Sequence, residues 1–245
     1  LGLEPYALSL DILCPSAPLP LCPFAPYNPN MITSILGRVS AGEDLSMADM
    51  QSAMGQIMSG QCDESEIATL LTALAHKGET VEEIAGAAQV LRRHMTPLKT
   101  SRTGLLDTCG TGGDGKGTFN VSTAAALVTA AAGVPVAKHG NRSASGSTGS
   151  SEVLAELGVN VEAELPVVEA CLDELGICFC YAPLFHPSMK HVANVRKLLG
   201  FPTIFNLLGP LSNPAGAEFH LLGVGFSEYR TLMAEALAIL GTTRA

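Results

Sequence analysis

Three short stretches hold most of the residues that could do chemistry. The first, Cys109-Gly110-Thr111-Gly112-Gly113-Asp114-Gly115-Lys116-Gly117-Thr118, carries five glycines in the eight positions from Gly110 to Gly117. Glycine lets the backbone take positive φ and approach a ligand closely. A helix that follows such a loop offers unpaired N–H groups and a partial positive charge to a phosphate, and Asn120, Ser122 and Thr123 add side-chain donors there. The pattern is neither a Walker loop, which needs Gly-Lys-[Ser/Thr], nor a dinucleotide G-x-G-x-x-G. A glycine loop alone is equally a set of tight turns. Asp114 would repel phosphate, so it fits either a turn or a place beside ligand hydroxyls or a metal–phosphate group. The second stretch, Lys138-His139-Gly140-Asn141-Arg142-Ser143-Ala144-Ser145-Gly146-Ser147-Thr148-Gly149-Ser150, joins two cations to many donors. The third runs from His186 to Arg196 and contains His186, Lys190, His191 and Arg196. A five-residue spacing of His186 and His191 suits a helical metal face poorly. Arg196 could take a carboxylate bidentately, while His186 could equally cap a helix and Lys190 be plain surface charge.

The elements expected to position these stretches follow from periodicity. Short apolar runs at residues 105–108, 134–138, 177–181 and 221–224 alternate with helical patterns beginning at Val121 and over residues 150–157, 167–175 and 227–240. That alternation predicts an α/β domain with a mostly parallel sheet over residues 100–245. Both glycine-bearing loops follow a strand and precede a helix, so both open at the carboxyl edge, where such sheets bind ligands. Residues 31–99 read instead as a small helical domain. Asp63-Glu64-Ser65-Glu66 and Thr80-Val81-Glu82-Glu83 each have the N-cap and third-position acid of a capping box or a close variant, apolar residues recur at helical spacing after each, and residues 46–58 are expected to form a further helix. Residues 1–30 hold seven of the fifteen prolines and no Lys or Arg, which predicts an extended or disordered segment that is not a transit peptide. Met31 opens the regular pattern, so residues 1–30 are expected to be an upstream extension without function.

Composition narrows the function classes. The chain has 245 residues, 47% hydrophobic and 15% charged, enough to bury a core. Fourteen Lys and Arg against 23 Asp and Glu give a formal charge of −9, which argues against nucleic-acid binding through a basic surface. No apolar run is long enough for a membrane-spanning helix. Seven irregularly spaced cysteines, with no secretory pattern, predict small buried thiols in a reducing cytoplasm. Cys109, beside the glycine loop, is expected to be partly exposed but without a catalytic role.

Taken together, Gly110-Thr111-Gly112-Gly113-Asp114, Asn120-Val121-Ser122-Thr123, Lys138-His139-Gly140-Asn141-Arg142, His186-Pro187-Ser188-Met189-Lys190 and the segment Asn206-Leu207-Leu208-Gly209-Pro210-Leu211-Ser212-Asn213-Pro214 resemble the anthranilate phosphoribosyltransferase family. The motifs occur in the family's order, and the resemblance covers the chain from Met31 to Ala245. It implies a helical domain beside a larger α/β domain, and a cytoplasmic homodimer formed through the helical domain. The implied activity is Mg²⁺-dependent transfer of the 5-phosphoribosyl group from phosphoribosyl pyrophosphate to the amino group of anthranilate, a step of tryptophan biosynthesis. Carried onto this sequence, the phosphoribosyl pyrophosphate residues are Gly110, Gly113, Asp114, Thr118, Asn120, Val121, Ser122, Thr123, Lys138, His139, Gly140, Asn141, Arg142, Ser143, Ala144, Ser145, Gly146 and Ser150. Anthranilate would meet Gly110, His139, Asn141, His186 and Arg196, and Ser122 would give Mg²⁺ an oxygen. No side chain is called on as nucleophile or acid–base catalyst. Neither nucleic acid nor a membrane is an expected partner.

One departure is expected to matter. The family carries an adjacent Asp-Glu metal pair after the strand that would follow Leu240, and this sequence stops at Ala245. Asp173-Glu174 and Glu43-Asp44 lie in other elements and do not substitute, so this polypeptide alone is expected to be weakly active or inactive. Rival readings are a pyrimidine nucleoside phosphorylase, a nucleic-acid-binding relative without activity, and an inert ligand-binding fragment.

Overall fold

The structure, a computed structural model, describes residues 29–112, 119–142 and 148–245. The Pro-rich extension expected before Met31 lies essentially outside the described residues.

Four helices come first: α1 (Pro29–Ser40), α2 (Met47–Met58), α3 (Glu64–Lys77) and α4 (Val81–His94). Their starts are set by local hydrogen bonds. Ser46 Oγ accepts the Asp49 N–H ahead of α2, and Asp63/Glu66 and Thr80/Glu83 form the two capping boxes predicted for α3 and α4. Glu83 does more than cap. Fully buried, its carboxylate accepts from Leu45 N, Thr80 N and Lys77 Nζ, each at 2.8 Å, so it also ties α4 to the α1–α2 turn and to the end of α3.

The α/β part runs β1 (Leu106–Gly110), α5 (Val121–Ala131), β2 (Val136–Gly140), α6 (Ser150–Glu156), α7 (Leu165–Leu175), β3 (Ile177–Tyr181), α8 (Ala182–Phe185), α9 (Lys190–Leu199), α10 (Phe205–Leu208), β4 (Phe219–Gly223) and α11 (Tyr229–Ile239). The strands form one parallel sheet in the order β3-β2-β1-β4. Leu106 stands beside both Val136 and Phe219, and Val136 beside Ile177. At the chain's last residues, Thr243 N–H donates to Glu218 O at 2.9 Å and Arg244 lies parallel to Phe219.

The predicted alternation is present, with shifted strand limits. The strand expected over residues 134–138 begins at Val136 instead, because Pro135 has no N–H to give a ladder. The strand also runs on to Gly140, so His139, placed in the loop, sits inside β2 beside Lys138. The third chemical stretch contains α9, preceded by a 3₁₀ turn at Pro187–Met189.

Met50, Met54, Ile57, Leu70, Leu74 and Ile84 of the bundle share a continuous buried cluster with Val192 and Val195 of α9, Ile204 and Leu208 around α10, and Met233 and Leu237 of α11. The two parts are thus joined by core packing as well as by chain. Among the described residues, no helix is long and apolar enough to cross a membrane.

Candidate active site

In a parallel sheet, residues in register project to the same face. Thr108 and Lys138 point to the face covered by α5, whereas Asp107, Cys109, His139, Cys178, Cys180 and His220 point to the opposite face. That face is covered by α10 and the segment after it, through Cys109 Sγ to Pro210 O and Asn213 Nδ2 to Ala137 O.

On the α5 face, Asn120 is the helix N-cap and organises the first turn. Its Oδ1 accepts from Thr123 N at 3.1 Å, Thr123 Oγ1 at 2.8 Å and Ser122 Oγ at 3.2 Å. Thr108 Oγ1 donates to Ser122 O at 2.9 Å and fastens that turn to β1. Lys138, only 3% exposed, donates to Thr108 O and, at 3.2 Å, to Ser122 Oγ. Among the described residues no carboxylate is paired with this ammonium, and burial pushes its pKa down. Val121 opens α5 exposed to solvent. The glycine loop leaves β1 at Gly110, where an added Cβ would come 3.0 Å from Gly223 O, and turns through Gly112 at φ +67°. Thr111 holds it to the exit of β4, donating N–H to Gly223 O and accepting the Gly225 N–H.

On the other side of β2, His139 is fixed at three atoms. Its backbone N–H donates to Asp107 Oδ1 at 3.0 Å, Nδ1–H donates to Gly209 O at 3.1 Å, and Nε2 lies 3.1 Å from His186 Nε2. Since Nδ1 of His139 must be the donor to a carbonyl, its Nε2 is the acceptor and His186 Nε2–H the donor. Both rings are buried. Desolvation, with the neighbouring His186 second, pushes His139 down to about 3, and desolvation pushes His186 down to about 4. Both are neutral imidazoles at pH 7. His186 thus follows α8 without capping any helix by its side chain.

Beyond β2, Gly140 is required by space: an added Cβ would strike Ser150 Oγ and lie 2.7 Å from the Phe179 ring. Ser150 Oγ donates to Asn141 O at 3.3 Å, which closes the second loop at its ends. Asn141 itself is exposed. Arg142 is drawn sideways, its Nε donating to Tyr181 OH at 2.8 Å and a terminal nitrogen pairing with Glu162 at 3.2 Å. Arg196, half-buried near the end of α9, lies 5.4 Å over the Phe205 ring, and among the described residues its guanidinium has no acceptor. Burial lowers its pKa.

The structure therefore brings together Asn120, Ser122, Thr123 and Lys138 in one cluster, His139 and His186 in a second, and Gly140, Asn141 and Ser150 in a third. Arg142 and Arg196 stand apart, each held by its own neighbours. Gly113, Asp114, Thr118, Ser143, Ala144, Ser145 and Gly146 lie outside the described residues. Three expectations are corrected. His139, placed in the loop after the strand, is a buried strand residue, because β2 runs on to Gly140, and Lys138 lies in the strand as expected but buried. Cys109 is buried and not partly exposed, because β1 extends past it to Gly110 under Pro210. Cys178 and Cys180 are buried as expected, but Cys62 and Cys171 are only half-buried. Sequence reasoning missed Asp107, which anchors His139. A carboxylate inside an otherwise apolar strand was its available signal. The acidic pairs Glu43-Asp44 and Asp173-Glu174 are otherwise engaged: Glu43 with Arg38, Asp44 with Lys77, and Asp173 with Thr100 and Ser101.

A donor-rich helix start beside an ammonium that is buried and, among the described residues, unpaired, at the carboxyl edge of a parallel sheet, is an arrangement suited to an anion. Residues 102–245 match the glycosyl transferase family, a/b domain, and residues 33–95 its helical bundle domain, so the chain belongs to the glycosyl transferase family. It is 52% identical over 215 residues to an anthranilate phosphoribosyltransferase of Pelotomaculum thermopropionicum, covering 88% of this chain and 62% of that protein. One from Shouchella clausii is 52% identical over 214 residues, covering 86% and 62%. Among solved structures, the anthranilate phosphoribosyltransferase of Thermus thermophilus superposes with a TM-score of 0.81 at 49% identity, covering 84% of this chain and 63% of that one. The enzyme of Saccharomyces cerevisiae in complex with PRPP and Mg superposes at 0.80 with 31% identity, covering 88% and 64%. The chain thus spans about 62% of the length of the curated relatives it matches.

Proposed function

We propose that this chain is the greater part of an anthranilate phosphoribosyltransferase, which moves the 5-phosphoribosyl group from phosphoribosyl pyrophosphate to the amine of anthranilate. The observation that carries this reading is Lys138. Among the described residues its ammonium is buried without a carboxylate partner, which is costly, and an anionic ligand at the first turn of α5 would supply the missing charge. Asn120, Ser122 and Thr123 would then offer hydroxyl and amide donors to phosphate oxygens, and the α5 N-terminus its partial positive charge.

For Mg²⁺, Ser122 Oγ is a hard oxygen of the right kind, already donating to Asn120 Oδ1 and accepting from Lys138. With an ammonium so close, the dication fits as one carried largely by pyrophosphate oxygens with Ser122 as a protein ligand. When bound it would neutralise charge growing on the departing pyrophosphate. Lys138 would act on that same charge as a fixed cation in a poorly hydrated position. Arg196, desolvated and lacking an acceptor among the described residues, suits the anthranilate carboxylate, and Asn141 would orient the ring. The neutral His139–His186 pair would line the approach without placing a positive charge beside the amine or the ribosyl carbon as it becomes oxocarbenium-like. Positioning of the two reactants is expected to supply much of the rate, roughly 7–11 kcal/mol for a near-attack pair. A homodimer through the helical domain and a cytoplasmic location belong to the same reading.

Titration calorimetry with Mg²⁺ present tests it on the chain as it stands. Lys138→Gln should weaken phosphoribosyl pyrophosphate at least tenfold and spare anthranilate, and Arg196→Ala should do the reverse. Equal losses for both substrates in either variant, or binding of a pyrimidine nucleoside with phosphate instead, would overturn the assignment.

A further inference from the structure

We propose that Asp107, Cys109 and His220 form a second metal site, for a divalent cation of the zinc type, in the layer beneath the sheet and distinct from the Mg²⁺ position at Ser122. Asp107 and Cys109 lie on the same face of β1, and His220 of β4 is the register partner of Asp107. One ligand atom from each of the three lies within 4.8 Å of the others, and all three residues are buried. A tetrahedral zinc with bonds of about 2.0–2.3 Å needs its ligand atoms roughly 3.3–3.8 Å apart. Side-chain shifts of about an ångström would close the triangle.

The hydrogen bonds around the cluster show why a cation belongs there. Asp107 Oδ1 is taken by the His139 N–H, which leaves Oδ2, a buried atom without a hydrogen-bond partner among the described residues. His220 Nε2–H donates to Ala217 O at 3.1 Å, so Nδ1 carries the lone pair, and it too is buried without a partner. Asp107 is 0% and His220 5% exposed, so bulk water does not reach either atom. Both orphans are acceptors, and two acceptors cannot satisfy each other unless a proton or a cation lies between them. A dication bound by the Asp107 carboxylate, the Cys109 thiolate and a neutral imidazole makes a group with no net charge, which burial tolerates. Donation of the far imidazole nitrogen to a backbone carbonyl is the outer-shell support that metal-ligating histidines use. Sulfur and nitrogen donors select zinc or cobalt over magnesium. Such an ion would tie β4 to β1 while leaving Oδ1 on His139.

The site stands or falls independently of the transferase reading. Its test is titration of the reduced chain with Co²⁺ in excess Mg²⁺. The expected result is a thiolate-to-cobalt charge-transfer band that saturates at one ion per chain. The band should be lost in Cys109→Ser, and the affinity should fall at least tenfold in His220→Gln. It should persist in Cys178→Ser, which probes the rival thiol pair whose Sγ atoms are 3.8 Å apart. X-ray absorption on the Co²⁺-loaded parent covers the case in which a variant does not fold, with a single sulfur ligand expected. No band with the parent, a band that survives in Cys109→Ser, or a shell of two sulfurs or none would overturn the proposal.

Discussion

Acid should destabilise this fold through His139 and His186, and the size of the effect follows from their burial. Both rings lie in the folded protein well below the ordinary histidine value of 6.5, at about 3 and about 4. Between those values and 6.5 the unfolded chain binds protons that the folded chain does not. Stability is then fully present above 6.5 and is lost as pH falls. Each ring costs about 1.36 kcal/mol per pH unit in that window, hence about 2 kcal/mol at pH 5 and about 4 kcal/mol for the pair. For a chain of this length that is a fall in Tm of roughly 8–16 °C, at roughly 2–4 °C per kcal/mol. Urea unfolding at pH 7.5 and pH 5.0 of the parent and of His139→Gln/His186→Gln reads the difference directly. His220, also lowered, and Asp107, raised by burial, titrate in both proteins and largely cancel. The parent's advantage over the variant should shrink by about 4 kcal/mol on going to pH 5.0. A gap unchanged within about 1 kcal/mol would refute the argument. So would ring proton resonances of His139 and His186 in the parent that titrate near pH 6.5 by NMR.

Two further substitutions probe the supports of the site. Glu83→Ala leaves the amides of Leu45 and Thr80 without their acceptor and Lys77 Nζ with only Asp44 and Gly78 O, and should cost about 2–5 kcal/mol by chemical denaturation. Glu83→Gln, which keeps acceptors for the two amides, should cost clearly less. Gly140→Ala drives a methyl into Ser150 Oγ and the Phe179 ring, and should cost about 1–3 kcal/mol. Ser150→Gly in the same chain should return part of that stability, and no recovery would place the strain elsewhere.

What was legible beforehand is what closes within a few residues of chain. The boxes at Asp63/Glu66 and Thr80/Glu83 and the glycine turns depend on bonds between near neighbours, so their residue types alone announced them; the Asn120 cap is as local, but Asn120 was read only as a donor at the first turn. Strand–helix alternation announced the parallel sheet and the edge at which both loops open. Strand limits were less legible: Pro135, without an N–H, delays the start of β2 to Val136, and the strand runs on through His139 to Gly140.

Everything that gives the site its electrostatics came from contacts between residues distant in sequence. His186 meets His139 across 47 residues, Lys138 reaches Thr108 across 30, and Arg142 finds Tyr181 across 39. Sheet register puts His220 beside Asp107, and Phe205 of α10 lies under Arg196. The sequence by itself determined the caps, the glycine turns, the alternation and the family resemblance. Tertiary structure alone decided which cations and imidazoles are desolvated and which acceptors are left without donors. The physical reason is that burial belongs to the packed neighbours of a residue, and those neighbours are set by register and layer packing, which no local spacing encodes.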